Sequence, residues 1–328
     1  MTEQKLKALI VGCGRIGAFF DAPGQARIVT HAHAYHAHPL FSALGFVDRD
    51  FAAAQKAAAL WGGTAYPDLE SALSGLQPDA VSVCTPDDWH YPVLARLLDS
   101  QVRLILAEKP LTLDLRQADE VVTGARKRGI TLNVNYSRRF DPTVYEVRAA
   151  LRRGDHGKVL NAVAAYAKGI LHNGSHVIDL ARHLLGEVRE TKVLAARAGH
   201  GNSDPTLDCW LRMADCPSLH LVGLEEENYS VHELDLYCER GRLRFTRFGF
   251  QLEEQTVVID PDFPGYRELS LPKIRPTGLG SAMSRYLEDG LRAMIDGVEP
   301  ACPAADAAVT LGVCLELLGK YRKEDGFG

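Results

Sequence analysis

An apolar segment, Ala8-Leu9-Ile10-Val11, runs straight into Gly12-Cys13-Gly14-Arg15-Ile16-Gly17. This GxGxxG constrains the chain most, because each glycine answers a different geometrical demand. Gly12 permits a tight turn, Gly14 lets the backbone approach a pyrophosphate, and Gly17 allows close packing of the next helix on the strand. The start of that helix offers unpaired N–H groups and a positive dipole end to phosphates. Asp48 ends the following apolar segment, Leu44-Gly45-Phe46-Val47, where a carboxylate accepts hydrogen bonds from ribose hydroxyls. It comes later than the usual ~20 residues. The loop Asp21–Thr30, with Pro23 and Gly24, accounts for the delay. Asp48 repels a 2′-phosphate while Arg49 attracts one, so the acid favours NAD and leaves NADP open.

The rhythm around this turn is that of a doubly wound parallel sheet. Strands are expected at Ala8–Val11, Ser42–Val47, Ala80–Cys84, Arg103–Ala107 and Thr131–Asn135, with helices near Phe51–Leu60, His90–Asp99 and Leu115–Arg128. The strands are apolar along their length, as strands buried on both faces are. After Tyr136 the pattern changes to alternation: Val159–Ala167, Thr191–Ala198, Leu207–Ala214, Leu219–Glu225, Val231–Tyr237 and Arg242–Phe248. Short turns such as Glu239-Arg240-Gly241 imply an antiparallel sheet with one exposed or helix-covered face. Helices are expected at Ser175–Leu185, Ser281–Ile295 and Ala304–Tyr321. The chain divides into residues 1–137, an NAD(P)-binding Rossmann domain, and residues 138–328, an α+β domain.

A length of 328 residues exceeds what one core usually supports, which agrees with two domains. The formal net charge of -5 gives no electrostatic reason for a nucleic-acid partner. The opening apolar run is too short for a signal peptide, and no segment reaches the ~18 apolar residues of a membrane span. Seven cysteines without a CxxC pair suggest reduced thiols in the cytoplasm, with Cys84 and Cys314 as core residues.

Glu108-Lys109-Pro110 follows the Arg103–Ala107 strand at its carboxyl end, the edge where open α/β sheets bind ligands. Proline keeps Lys109 out of the α region, in an extended turn. From there a lysine can hydrogen-bond a substrate hydroxyl and stabilise developing alkoxide charge. In His172-Asn173-Gly174-Ser175-His176-Val177-Ile178-Asp179, Asn173 or Ser175 can cap the next helix, placing His176 in its first turn. The positive helix end then disfavours imidazolium and suits His176 to accept a proton.

Taken together, Gly12–Gly17, Thr85-Pro86 with His90, Glu108-Lys109-Pro110 and His176–Asp179 resemble, in order, the motifs of the glucose-fructose oxidoreductase / inositol 2-dehydrogenase (Gfo/Idh/MocA) family. The resemblance implies a catalytic Lys109 and His176, with Thr85, Pro86 and His90 on the nicotinamide side together with Glu108. It also implies a large, open, mostly antiparallel sheet in the second domain, which carries substrate residues and often an oligomer interface, as a homodimer or homotetramer. Tyr136, Arg139, His172 and Asn173 fall where such substrate contacts lie. Many polyol-oxidising relatives carry aspartate four residues before the histidine; this chain has His172.

Some features stay open at this level. Arg138 and Arg139 suit a carboxylate or phosphate, or equally an interdomain ion pair. The run His31, His33, His36 and His38 suggests metal, but solvated or cofactor-edge histidines are the better expectation, and no metal is assigned. Cys13 most simply packs. The expected reaction moves a hydride between nicotinamide and a secondary alcohol or carbonyl of a sugar, sugar acid or nucleotide sugar. A non-catalytic NAD(P)-dependent sensor and an NAD-dependent glycosidase are the alternatives.

Overall fold

The computed structural model describes residues 5–199 and 201–324, so the first four residues of the opening segment and the last four of the chain lie outside it. The chain divides into two compact units. The first contains the described residues up to Phe140 together with Gly280–Val309. The second contains Asp141–Leu279 and the described residues from Thr310 on.

In the first unit, β1 (Leu6–Val11), β2 (Phe41–Val47), β3 (Thr64–Tyr66), β4 (Ala80–Val83), β5 (Leu104–Ala107) and β6 (Thr131–Val134) form one sheet in the order β3-β2-β1-β4-β5-β6. Every pairing is parallel, as the continuous apolar strands require. The connecting helices are α1 (His31–Ala37), α2 (Phe51–Trp61), α3 (Leu69–Leu76), α4 (His90–Leu98) and α5 (Leu115–Arg128). The three expected helices are present. β3, α1 and α3 are additional. Asp50, Asp68 and Asp114 accept backbone N–H bonds at the starts of α2, α3 and α5.

In the second unit, α6 (Pro142–Arg153) precedes β7 (Val159–Ala167), and α7 (Ser175–Leu185) precedes a long run of strands. These are β8 (Val188–Gly199), β9 (Gly201–Met213), β10 (Leu219–Leu224), β11 (His232–Cys238), β12 (Gly241–Thr246), β13 (Gln251–Ile259), β14 (Arg267–Leu269) and β15 (Lys273–Pro276). The sheet runs β14-β13-β12-β11-β7-β10-β9-β8, with β15 on β13. Only the β7–β10 pairing is parallel among those described, so the sheet is mostly antiparallel, as expected. Alternate residues of its strands, including Ala164, Tyr166, Leu207, Cys209, Leu211, Leu234 and Leu243, form a core with Val177, Ile178, Ala181 and Leu185 of α7. The opposite face carries flat ion pairs, Arg242 with Asp235 and Arg244 with Glu233.

The last two helices are α8 (Ala282–Asp296) and α9 (Ala304–Glu324). The sequence reading places α8 in the second domain because it follows the antiparallel strands. Its contacts instead assign it to the first unit, where Tyr286 is fully buried. The Tyr286 hydroxyl lies 3.0 Å from the Ala107 carbonyl and 2.9 Å from that of Asn133, at the ends of β5 and β6. Tyr286→Phe keeps the ring and removes this buried donor. It should cost about 1 kcal/mol, read as a lower urea midpoint with unchanged slope. An unchanged midpoint would show that the hydroxyl does not anchor α8.

Candidate functional site

The glycine turn has the geometry its spacing predicts. Gly12 has φ +96°, and a Cβ there would meet the Cys84 carbonyl at 2.5 Å, so β1 can turn over the end of β4 only at glycine. A Cβ on Gly17 would strike the Gly12 carbonyl oxygen. At Gly14 nothing lies within 4 Å of where a Cβ would stand, leaving the open approach a pyrophosphate needs. The helix after the turn differs from expectation. Arg15, Ile16 and Gly17 belong to a π-helical turn of five residues, Arg15–Phe19, and the chain leaves it for the inserted loop. So short an element has little macrodipole, which leaves individual backbone N–H groups to meet phosphates.

Asp48 sits just past β2, as expected. One oxygen accepts from the Cys13 N–H at 2.7 Å and the other from the Asp50 N–H at 2.9 Å. The carboxylate thereby ties the second strand to the glycine turn, and each oxygen keeps a further lone pair for a ribose hydroxyl. Arg49 beside it is exposed. The Cys13 thiol is pushed up to about 12, mainly by burial and further by the Asp48 charge. It therefore packs as a protonated thiol, 3.6 Å from the Val47 carbonyl.

At the ends of β4 and β5 two turns are held together by His90. Its Nδ1 lies 2.6 Å from the Pro110 carbonyl and its Nε2 2.9 Å from the Thr85 carbonyl. The ring thus links Thr85-Pro86 to Glu108-Lys109-Pro110, while the Thr85 hydroxyl is buried without a partner among the described residues. An orphaned hydroxyl beside an open glycine turn fits a bound cofactor. Lys109 is 9% exposed, and its peptide bond to Pro110 is cis.

The sequence reading missed what surrounds Glu108. Its Oε1 accepts from His31 Nε2 at 3.0 Å and from Asn135 Nδ2 at 2.7 Å. His31 Nδ1 in turn meets Ser82 Oγ at 2.8 Å, and Ser82 Oγ lies 2.9 Å from the Tyr35 hydroxyl. The expectation of solvated or cofactor-edge histidines is thus corrected for His31 and His33, while His36 is exposed. His31 and His33 are buried on α1, His33 bonds Asp21 at 2.9 Å, His36 meets the Trp61 carbonyl, and His38 pairs with Glu288. The hydrogen-bond partners of the four differ, although His33 and His36, one turn apart on α1, both pack on the Trp61 ring and His38 lies just past the helix. Among the described residues no group of three histidine, cysteine or acidic side chains is arranged to hold a metal ion.

Tyr136 is buried, and Arg139 is buried in an ion pair with Asp306, with a further 3.4 Å bond to the Ala301 carbonyl. Both partners belong to the first unit. Of the two readings open for Arg139, an ion pair is present, with a partner in the same unit.

In the second unit His172 and Asn173 lie on a π-helical turn, Gly169–Gly174, that continues directly into α7. The expected cap by Asn173 or Ser175 is absent, because the helical backbone starts six residues before Ser175. Its first N–H groups are met by β9 instead: Thr206 Oγ1 accepts from Gly169 at 3.0 Å, and Asp204 accepts from Leu171 and His172, both at 2.9 Å. Gly169 has φ +79°, and a Cβ there would collide with the Asp204 carboxylate. His176 therefore stands more than a turn inside helical backbone whose positive end faces an aspartate, which removes the helix-end argument for its charge state. Its ring packs edge-on to His232 of β11, with centroids 6.2 Å apart. Asp204 and His232 were not singled out from the sequence, since neither lies near His176 along the chain.

Residues 6–136 match the model of the oxidoreductase family with an NAD-binding Rossmann fold, Gfo/Idh/MocA. The match spans 131 of the chain's 328 residues. It is 29% identical over 229 residues to an inositol 2-dehydrogenase of Saccharopolyspora erythraea, covering 63% of each chain. It is 25% identical over 198 residues to D-glucoside 3-dehydrogenase of Escherichia coli, covering 56% of this chain and 53% of that protein. The chain thus matches less than two thirds of either relative's length. Its fold is that of UDP-N-acetylglucosamine 3-dehydrogenase from Acidithiobacillus ferrooxidans (TM-score 0.72, 19% identity, 96% and 97% of the two chains). A 3-ketoreductase from Actinomadura kijaniata, crystallised with NADP and TDP-benzene, shares it too (TM-score 0.77, 19% identity, 96% and 98%).

Burial by itself raises the Glu108 carboxyl. The hydrogen bond and charge of His31, the Asn135 amide and the Lys109 charge outweigh it and hold the group below its ordinary 4.5. A depressed folded-state value means that the unfolded chain binds the proton more readily. The stabilisation is full above the unfolded value and is lost as pH falls through the folded one. Glu108→Gln should therefore be less stable than the parent at neutral pH, and the gap should narrow progressively below about pH 4. Urea titrations across that range check this; a gap independent of pH would assign the loss to packing.

Proposed function

We propose that the protein is an NAD(P)-dependent dehydrogenase or reductase acting on a CH–OH group of a sugar, sugar acid or nucleotide sugar. The observation that carries this reading is the turn at the end of β5. It holds buried Lys109 beside a structured carboxylate, and His90 links it to the backbone carbonyl of Thr85, whose hydroxyl is orphaned. Gly12, Cys13, Gly14, Arg15, Ile16 and Gly17 would hold the pyrophosphate, Asp48 the ribose, and Thr85, Pro86 and His90 the nicotinamide side. When bound, NAD(P) accepts or returns the hydride. Lys109 donates a hydrogen bond to the substrate oxygen and stabilises its developing negative charge. His176 takes the alcohol proton, or returns it in reduction. His172 and Asn173, on the turn fixed by Asp204, would orient the substrate, with Tyr136 and Arg139 supporting the chain that leaves β6. The relatives that act on inositol, glucosides and nucleotide sugars support the substrate class.

The Asp48 carboxylate supports NAD over NADP. Seven buried free cysteines suit a reducing compartment, which supports a cytoplasmic location. Among the described residues no helix is long and apolar enough to cross a membrane. The exposed face of the large sheet, with Leu194, Val222 and Tyr237 among its ion pairs, supports a homodimer or homotetramer. Light scattering at micromolar concentration should report one of these, and a monomer would exclude both.

A panel of sugars and nucleotide sugars, followed at the NADH absorbance with NAD and NADP in parallel, tests the activity. With a substrate in hand, Lys109→Ala should lower turnover on the order of 100–1000-fold. His176→Ala should lower it roughly 100-fold and flatten the acidic limb of the pH profile for alcohol oxidation. NAD affinity should stay near that of the parent in both, and the double variant should lose less than the product of the two effects. Wild-type turnover by Lys109→Ala would remove the lysine from the mechanism, and no turnover of any panel member with either cofactor would overturn the reading and favour a sensor.

A further inference from the structure

The buried chain behind Lys109 has a role that the reaction scheme does not use. His31 is 1% exposed, and both of its ring nitrogens are engaged, one by Ser82 on β4 and the other by Glu108. The two donors that reach Glu108, from His31 and Asn135, fall on the same oxygen, Oε1. That double contact fixes the rotation of the carboxylate. Lys109 adjoins it in the chain and adds its positive charge to the same group. Two further ionisable groups that feel the charge of Glu108 are the Cys84 thiol and the Tyr286 phenol. Burial raises both well above their usual values, so they stay neutral and cannot answer its charge. His31, Asn135 and Lys109 share that task.

We propose that His31 is a positioning residue for Lys109. By holding Glu108 Oε1 from a ring that β4 locks, it keeps the carboxylate from swinging wholly onto Lys109, so the amine keeps hydrogens for a substrate oxygen. This inference rests on the catalytic role proposed for Lys109. Without the His31 donor, a carboxylate in a dry site has one fewer partner. It draws more strongly on the lysine, because unscreened charges in a low-dielectric site attract strongly. The histidine run that looked like a metal signature then has one member serving the reacting centre from behind.

The test uses the folded protein without substrate or cofactor. Lysines are acetylated with trace acetic anhydride across a pH series, and the fraction modified at Lys109 is read by mass spectrometry. His31→Leu keeps bulk without a donor, and His31→Gln keeps an N–H that can reach Glu108. The leucine variant should move the Lys109 labelling midpoint up by about one pH unit. It should also lower kcat ~10–100-fold, with the KM for NAD little changed. The glutamine variant should recover most of both. If His31→Leu does not fold, the decision passes to His31→Asn, whose amide is too short to reach Glu108. The inference expects asparagine to shift the midpoint and glutamine not to. Superimposable Lys109 profiles for the parent and the folded leucine variant, or for the asparagine and glutamine variants, overturn it. Wild-type turnover by Lys109→Ala would end the catalytic role and leave the labelling result standing. Unchanged labelling alongside an inactive Lys109→Ala would end the His31 inference alone.

Discussion

A buried carboxylate costs several kcal/mol unless donors are built around it, and Glu108 sets that requirement for the first unit. Its two donors lie far apart in the sequence, His31 on α1 and Asn135 just past β6, and the charge of Lys109 is added from the next residue. His31 is itself held by Ser82 on β4. These groups can meet only because β4, β5 and β6 lie side by side and parallel, with their carboxyl ends at one edge. His90 closes the same edge from α4 by joining the turns after β4 and β5.

The second unit solves a comparable problem with opposite charges. A helical start leaves N–H groups unpaired, and buried ones must find acceptors. Asp204 and Thr206 on β9 supply them, which fixes the turn bearing His172 and Asn173 and sets the phase of α7, hence the direction of His176. Gly169 is the concession that allows it, since any side chain there would occupy the place of the carboxylate. In both units, then, an acidic residue organises the backbone around a residue proposed to do chemistry.

Periodicity made much of this architecture legible. β7 and α7 have the bounds read from their alternating and helical patterns, and α5 ends at Arg128 before Gly129 as expected. Elements without an apolar period escaped. α1 reads His-Ala-His-Ala-Tyr-His-Ala, in which His31 and His33 occupy buried positions because each finds a specific partner. α6 has readable end signals, with Asp141 capping the start, Pro142 in the first turn and Gly154 in a left-handed C-cap, yet an expectation built on apolar periods alone does not include it. β14 and β15 are short and exposed, so no burial pattern marks them.

What the sequence determined by itself is local: the glycine turn, the acid after β2, the lysine fixed before a proline and the strand and helix periods around them. Each follows from a conformational limit or a spacing that neighbouring residues impose. The tertiary structure alone decided that His31 belongs to Glu108, that Asp204 rather than Asn173 or Ser175 caps the turn before α7, and that α8 packs with the first unit. Those pairings join residues tens to hundreds of positions apart. Hydrogen-bond donors and acceptors carry no label of their partner along the chain, so only the packed sheets, by fixing which ends lie side by side, make the choice.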